Sequence, residues 1–161
     1  MSAGGTPALR VLAAAGIPYT LHPYEAEAAG SASYGEQAAA ALGVEPARLL
    51  KSLVAEVDGR LVVAVVPVSG SLDCKALAAS CGGKRAAMAA PAAAERATGY
   101  VVGGISPLGH RSRLPVLVDS SALTFATVFC SAGRRGLQVE LAPADLVRAT
   151  AAIVAPISRP A

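Results

Sequence analysis

At 161 residues the chain is expected to form a single domain over positions 1–161, with a core roughly at 6–155, large enough to fold without disulfides or metals. Hydrophobic residues make up 53% and charged residues 16%, which excludes a disordered chain, and no apolar run reaches the about 18 residues of a membrane span. The formal net charge of +3 and the pI near 9.0 are mildly basic, compatible with a polyanionic partner but not diagnostic of one.

Met1 to Pro7 lacks the basic start and apolar core of a signal peptide, so the cytoplasm is the expected compartment. Thr6-Pro7 reads as a helix start, with Leu9, Leu12 and Ala13 as the apolar stripe and Gly16 and Pro18 as the stop. Tyr19 to Tyr24 alternates as a short strand, and a small-residue loop follows from Ala26 to Ala32. Ser33 and Glu36 have the spacing of a capping box, opening a helix that ends at Leu42 before Gly43. Leu49 to Val57, Asp58-Gly59 and Arg60 to Val66 predict a hairpin with a two-residue turn.

Period two puts Lys51 with Leu49, Leu53, Ala55 and Val57, the more apolar face of the first arm. A lysine there either snorkels out at the strand end or points into a pocket as a cation for an anionic or polarised group. The second arm, Leu61 to Val66, is apolar on both faces and reads as a central strand. Pro67 to Ser71 reads as loop, Asp73 as the cap of a helix ending at Gly82-Gly83, and Lys84-Arg85 as the start of a brief extended piece. Pro91 to Thr98 is a helix closed by Gly99.

Gly103-Gly104-Ile105-Ser106-Pro107-Leu108-Gly109 is neither helix nor regular strand, and His110, Arg111 and Arg113 follow it. Such a loop either turns the chain between strands or presents bare backbone N–H groups to a carbonyl or oxyanion. Leu114 to Asp119, Phe125 to Cys130 and Leu137 to Leu141 read as strands, with Ser131 to Gly136 as a turn. Pro143 opens a last helix with Leu146 and Val147 inward. The pattern implies an α+β fold with a mixed, mostly antiparallel, barrel-like sheet flanked by short helices.

Three cysteines, an odd number, argue against a disulfide framework. Cys74 and Cys81 fall on one helix face, and buried small apolar groups are expected there rather than metal ligands. His22 and His110 sit in no nucleophile-elbow context, and no phosphate-loop or dinucleotide fingerprint is present. Catalysis by positioning and backbone donors stays open.

The chain resembles the YbaK/EbsC family of aminoacyl-tRNA deacylases, relatives of the editing domain of bacterial prolyl-tRNA synthetase. The resemblance is carried by Thr6-Pro7-Ala8, Tyr24-Glu25, Leu50-Lys51-Ser52-Leu53, Pro67-Val68-Ser69-Gly70 with Leu72-Asp73, the block from Thr98 to Gly109, and Ser131-Ala132-Gly133-Arg134-Arg135-Gly136-Leu137. It implies hydrolytic release of a wrong amino acid from tRNA, cysteine from tRNA for proline being the foremost substrate. The acceptor end of an aminoacyl-tRNA would be the partner, with prolyl-tRNA synthetase as a second one, and no cofactor or metal is implied.

The resemblance further implies that Lys51 and the Gly103 N–H act at the ester. Tyr24, Tyr34, Ser52, Gly104, Ile105, Pro107, Ser131 and Gln138 would contact substrate. In cysteine-specific members the substrate's own thiol attacks the ester carbonyl, so the protein supplies only geometry and electrostatics. This chain departs from the family pattern at Tyr34, where phenylalanine is common, at Ser52, where threonine is common, and at Gln138, where an aspartate is usual. Cys130 is also atypical, and strand packing is its expected role. Two other readings accompany cysteine editing: a deacylase for alanine or another small amino acid using water, and a non-catalytic module binding a tRNA terminus or a synthetase.

Overall fold

A computed structural model describes residues 5–26 and 33–160; the expected loop at 26–32 lies, beyond Ala26, outside the described residues. Helix α1 (Pro7–Ala14) starts where Thr6 Oγ1 accepts the Leu9 N–H, and the same hydroxyl donates to the Ala132 carbonyl at 2.6 Å, tying the helix to a distant strand. Ala8, Leu9 and Leu12 are its buried positions, whereas Ala13 is exposed, one step off the stripe expected. Strand β1 (Thr20–Pro23) follows, then α2 (Tyr34–Leu42), whose Ser33–Glu36 capping box forms in full and whose end at Gly43 is left-handed.

Strands β2 (Leu50–Val57) and β3 (Arg60–Pro67) form the predicted hairpin. Asp58 and Gly59 both have positive φ, +50° and +84°, as its two-residue turn requires. The sequence past β3 is not all loop: Gly70–Leu72 is a strand, β4. Then come α3 (Cys74–Ser80), β5 (Ala86–Met88), α4 (Pro91–Thr98), β6 (Val116–Asp119), β7 (Val128–Arg134), β8 (Leu137–Leu141) and α5 (Pro143–Thr150). Two short strands unforeseen in the sequence close the chain, β9 (Ile153–Ala155) and β10 (Ser158–Pro160).

The largest sheet has the order β5-β2-β3-β6-β9, antiparallel on the β5 side and parallel across β3-β6-β9. A second sheet, β1-β8-β7, is antiparallel, and β4 pairs with β10. A single bridge between Leu49 and Phe129 joins the two larger sheets. The described residues therefore form no closed barrel, contrary to the barrel-like expectation: one bridge brings the sheets edge to edge without a continuous ladder. Ser131 to Arg134 also departs from expectation. It continues β7 through a bulge, and only Arg135-Gly136 turns.

β3 explains the layering. Val63 and Val65 face the main core between the sheets, with Leu9, Leu12, Leu50, Val54, Val128, Val139 and Leu146. Val62, Ala64 and Val66 face a second core under α3, with Leu77, Leu117 and Ile157. A strand buried on both faces reads as an unbroken apolar run. β2 is likewise covered on both sides, so its alternation does not separate core from solvent, and only Glu56 is exposed. Cys74 and Cys81 are half-buried and pack against the second core.

Asp119, 3% exposed, pins the C-terminal strands. Its Oδ1 accepts the N–H groups of Ile157 and Ser158, both at 2.9 Å, while Oδ2 accepts the Ser121 hydroxyl and N–H. Burial pushes its pKa up, but these hydrogen bonds together outweigh burial and hold it below the usual carboxylate range. His22 packs against Phe129, ring centroids 5.0 Å apart, and pairs with Glu140 at 2.9 Å.

Candidate functional site

β5 covers β2 only along Ala55–Val57. Its last cross-strand contact is the Ala89 N–H on the Val54 carbonyl, and at Pro91 the chain turns into α4 because proline cannot donate to a ladder. The β2 edge from Leu50 to Leu53 is thus left without a strand partner among the described residues. A cavity of about 350 Å³ opens beside it. Its walls come from that edge, from Tyr24 after β1, from Tyr34 and Gly35 at the start of α2, from Pro91 and Ala94 of α4, from Val102, Gly103 and Ile105, and from Ser131 and Gln138.

Lys51 lines this cavity half-exposed, with no ion pair or hydrogen bond among the described residues. A nearby carboxylate, Glu36, is engaged instead in the α2 cap. Its pKa is lowered chiefly by the hydrogen bonds with Ser33, with a smaller contribution from the Lys51 charge. No aspartate, glutamate, histidine or cysteine stands among the described lining residues, so Lys51 is their one ionisable group of basic character.

The glycine-rich segment is a braced loop. Tyr100 buries its hydroxyl on the Leu108 carbonyl at 2.6 Å, and burial pushes its pKa up to about 12. Ser106 Oγ accepts the Leu108 N–H, and His110 Nε2 lies 2.7 Å from the Ser106 carbonyl. Burial lowers the His110 pKa, partly countered by that hydrogen bond. The Gly104 N–H donates to the Val101 carbonyl, turning the chain so that Gly103, at φ +91°, faces the cavity wall. The Gly103 N–H has no partner among the described residues.

Gly103 lies so close under Tyr34 that a Cβ there would stand 2.6 Å from the ring. Arg135 stacks on that ring, its guanidinium carbon 4.5 Å from the centroid and its Nε 2.8 Å from where the same Cβ would stand, while Nε and Nη2 donate to the Val102 carbonyl at 2.9 and 2.6 Å. Gly104 presses on β7 backbone: a Cβ would meet Arg134 at 2.9 Å. Ser131 Oγ donates to the Gly104 carbonyl at 3.0 Å and accepts the Gly133 N–H at 3.1 Å, fastening the loop to the β7 bulge.

Eight of the expected residues therefore line one cavity: Tyr24, Tyr34, Lys51, Ser52, Gly103, Ile105, Ser131 and Gln138. Two do not. Gly104 sits behind the wall, and Pro107 borders a second cavity with Arg111 and Arg113. The sequence reading missed Arg135, Val102, Pro91 and Ala94. Arg135 stands in a basic turn that gives no sign of its reach across to Tyr34, and the others are apolar positions with no chemical signature.

The family profile described as the aminoacyl-tRNA editing domain matches residues 29–149. The chain belongs to the aminoacyl-tRNA editing domain family. It is 36% identical over 149 residues to EbsC of Enterococcus faecalis, to which Cys-tRNA(Pro)/Cys-tRNA(Cys) deacylation is ascribed, covering 90% of this chain and 88% of that protein. It is 32% identical over 103 residues to the multifunctional Ser/Thr-tRNA deacylase ProXp-y of Escherichia coli, covering 61% of this chain and 62% of that one. A crystal structure described as a trans-editing enzyme for prolyl-tRNA synthetase superposes with a TM-score of 0.84 at 25% identity, covering 99% of both chains. This editing domain thus shares its fold with that structure over nearly its full length, and no helix of its described residues is long and apolar enough to cross a membrane.

Proposed function

We propose that this editing domain is a trans-acting hydrolase that deacylates Cys-tRNA(Pro), with cleavage assisted by the substrate's own thiol in the Lys51–Gly103 cavity. The observation carrying this reading is the composition of that cavity. It offers a free cation and a free backbone N–H, but among its described lining residues no carboxylate, imidazole or thiol to serve as nucleophile or general base. The nucleophile then comes from the substrate. The cysteine sulfur adds to the ester carbonyl, its proton passes to solvent, and the terminal ribose oxygen leaves with a proton from water.

The product on this route is a cyclic thioester that water opens. Lys51 and the Gly103 N–H stabilise the charge that develops on the carbonyl oxygen, and the braced glycine loop keeps that N–H in place. The similarity to EbsC supports the amino acid, and the structural likeness supports the tRNA and prolyl-tRNA synthetase as a partner.

A second reading keeps the site but uses water on a small aminoacyl ester, and the similarity to ProXp-y favours it. The test is single-turnover deacylation of cysteinyl-, seryl- and alanyl-tRNA(Pro) by wild type and Lys51→Ala. Loss of cysteine alone, slowed about 10²–10³-fold by the substitution, supports thiol assistance. Release of serine or alanine at comparable rates moves the reading to water. Turnover of none of the three sinks the hydrolase.

A further inference from the structure

Three consecutive N–H groups, those of Val102, Gly103 and Gly104, lead into the glycine loop, and two of them are spent. Val102 donates to Glu95 Oε2 at 2.8 Å, and Gly104 donates to the Val101 carbonyl at 2.9 Å. The Gly103 N–H between them has no acceptor among the described residues, and Gly103 lines the cavity. The other end of the same peptide unit is the Val102 carbonyl, which Arg135 holds through Nε at 2.9 Å and Nη2 at 2.6 Å. The peptide is trans, so its N–H points away from Arg135, opposite the carbonyl. Arg135 makes no ion pair among the described residues, and its guanidinium lies over the Tyr34 ring. An uncompensated cation is thus bonded twice to the one carbonyl conjugated to a free N–H in the cavity wall.

We infer that Arg135 is a positioning residue for ester cleavage, polarising the Val102–Gly103 peptide so that the Gly103 N–H donates more strongly to the ester oxygen as that oxygen gains charge; the inference rests on the editing reading above. A peptide is a conjugated unit. A guanidinium bonded to its oxygen draws electron density that way and leaves the N–H more positive, so hydrogen bonds at the two ends strengthen each other. The guanidinium stays protonated in proteins, so this pull is permanent and needs no proton movement during the reaction. Arg135 also fixes direction. With Glu95 on the Val102 N–H and Arg135 on its carbonyl, both flanks of the residue are held, and the next N–H keeps its aim without reorganising.

The test pairs a spectroscopic signature with kinetics. Val102–Gly103 is the one valine–glycine step in the sequence, so labelling valine at its carbonyl carbon and glycine at nitrogen isolates the Gly103 amide by NMR. Arg135→Met keeps an unbranched stem but removes the charge and donors, Arg135→Lys keeps the charge, and Arg134→Gln removes an exposed neighbouring charge that makes no ion pair. In the free protein the Gly103 nitrogen resonance is expected to move upfield in Arg135→Met, less so in Arg135→Lys, and to stay in place in Arg134→Gln. Single-turnover deacylation uses cysteinyl- or seryl-tRNA(Pro), whichever wild type releases faster. Arg135→Met should slow the rate at saturating enzyme about 10-fold, less than outright loss of an oxyanion donor, with half-saturation within about twofold of wild type. Arg135→Lys should regain part of that rate, and Arg134→Gln should keep it whole. Should Arg135→Met fail to fold, the rate and resonance of Arg135→Lys must still move together. A wild-type rate in the folded Arg135 variants, a loss confined to half-saturation, equal slowing by Arg134→Gln, or an unmoved Gly103 resonance overturns the inference. Failure of wild type to release any amino acid from tRNA, with the resonance shifts as expected, overturns the editing reading instead.

Discussion

Gly103→Ala places a methyl where the structure has no room for it. The new Cβ would lie 2.6 and 2.8 Å from Cδ2 and Cε2 of Tyr34 and 2.8 Å from Arg135 Nε, at a φ of +91°. The backbone conformation alone costs a non-glycine residue about 1–3 kcal/mol. The clash adds to it, because Tyr34 is held in the first turn of α2 and Arg135 is tied twice to Val102. Displacing that pair forfeits about 1 kcal/mol of hydrogen bonding and stacking at an exposed site. The expected loss of folding free energy is about 2–4 kcal/mol, measured by urea denaturation with an unchanged slope. The same substitution in a Tyr34→Ala background should cost about 1 kcal/mol less, since the ring is gone and only the backbone strain and Arg135 remain. An equal cost in both backgrounds, or no loss in either, would refute the packing of Tyr34 over Gly103.

Asp119→Ala should destabilise the fold by about 3 kcal/mol or more, since it leaves the Ile157 and Ser158 N–H groups without their acceptor. Because the folded pKa of Asp119 is depressed, its contribution is complete above the unfolded value near 4 and fades as pH falls through the folded value. Acid unfolding of Asp119→Asn should therefore be less steep below about pH 4 than that of wild type, and equal steepness counts against the network. Cys130 is fully buried and its thiol pKa is pushed up to about 12 by burial, so a thiol reagent at pH 8 should label it only after unfolding, while half-buried Cys74 and Cys81 react first. Prompt native-state labelling of all three would contradict that burial. Thr6→Ala removes both a helix cap and the bond to Ala132, and a loss of about 1–2 kcal/mol in denaturation is expected.

What the sequence determined by itself is local. Thr6-Pro7, Ser33 with Glu36, Asp73, Pro91 and Gly99 mark helix ends because capping depends on residues within one turn of each other. Asp58-Gly59 specifies the hairpin turn because few residues accept positive φ. Lys51 and the glycine loop stand out in the sequence because their residue types are unusual for their surroundings.

The tertiary structure alone decided how these pieces meet. The three-residue strands β4, β9 and β10 carry too little pattern to be read, and they exist through distant partners and through Asp119. The barrel fails to close because the sheets meet at one bridge, a property of edges rather than of any residue's preference. The cavity exists because β5 stops short of Lys51, and two of its lining residues, Tyr34 and Val102, are held together by Arg135 reaching across from the β7–β8 turn. Gln138 is an ordinary strand residue until β1 and β7 enclose it and leave its oxygen unpaired. Burial and pairing are relations between segments far apart in the chain, and only the folded arrangement creates them.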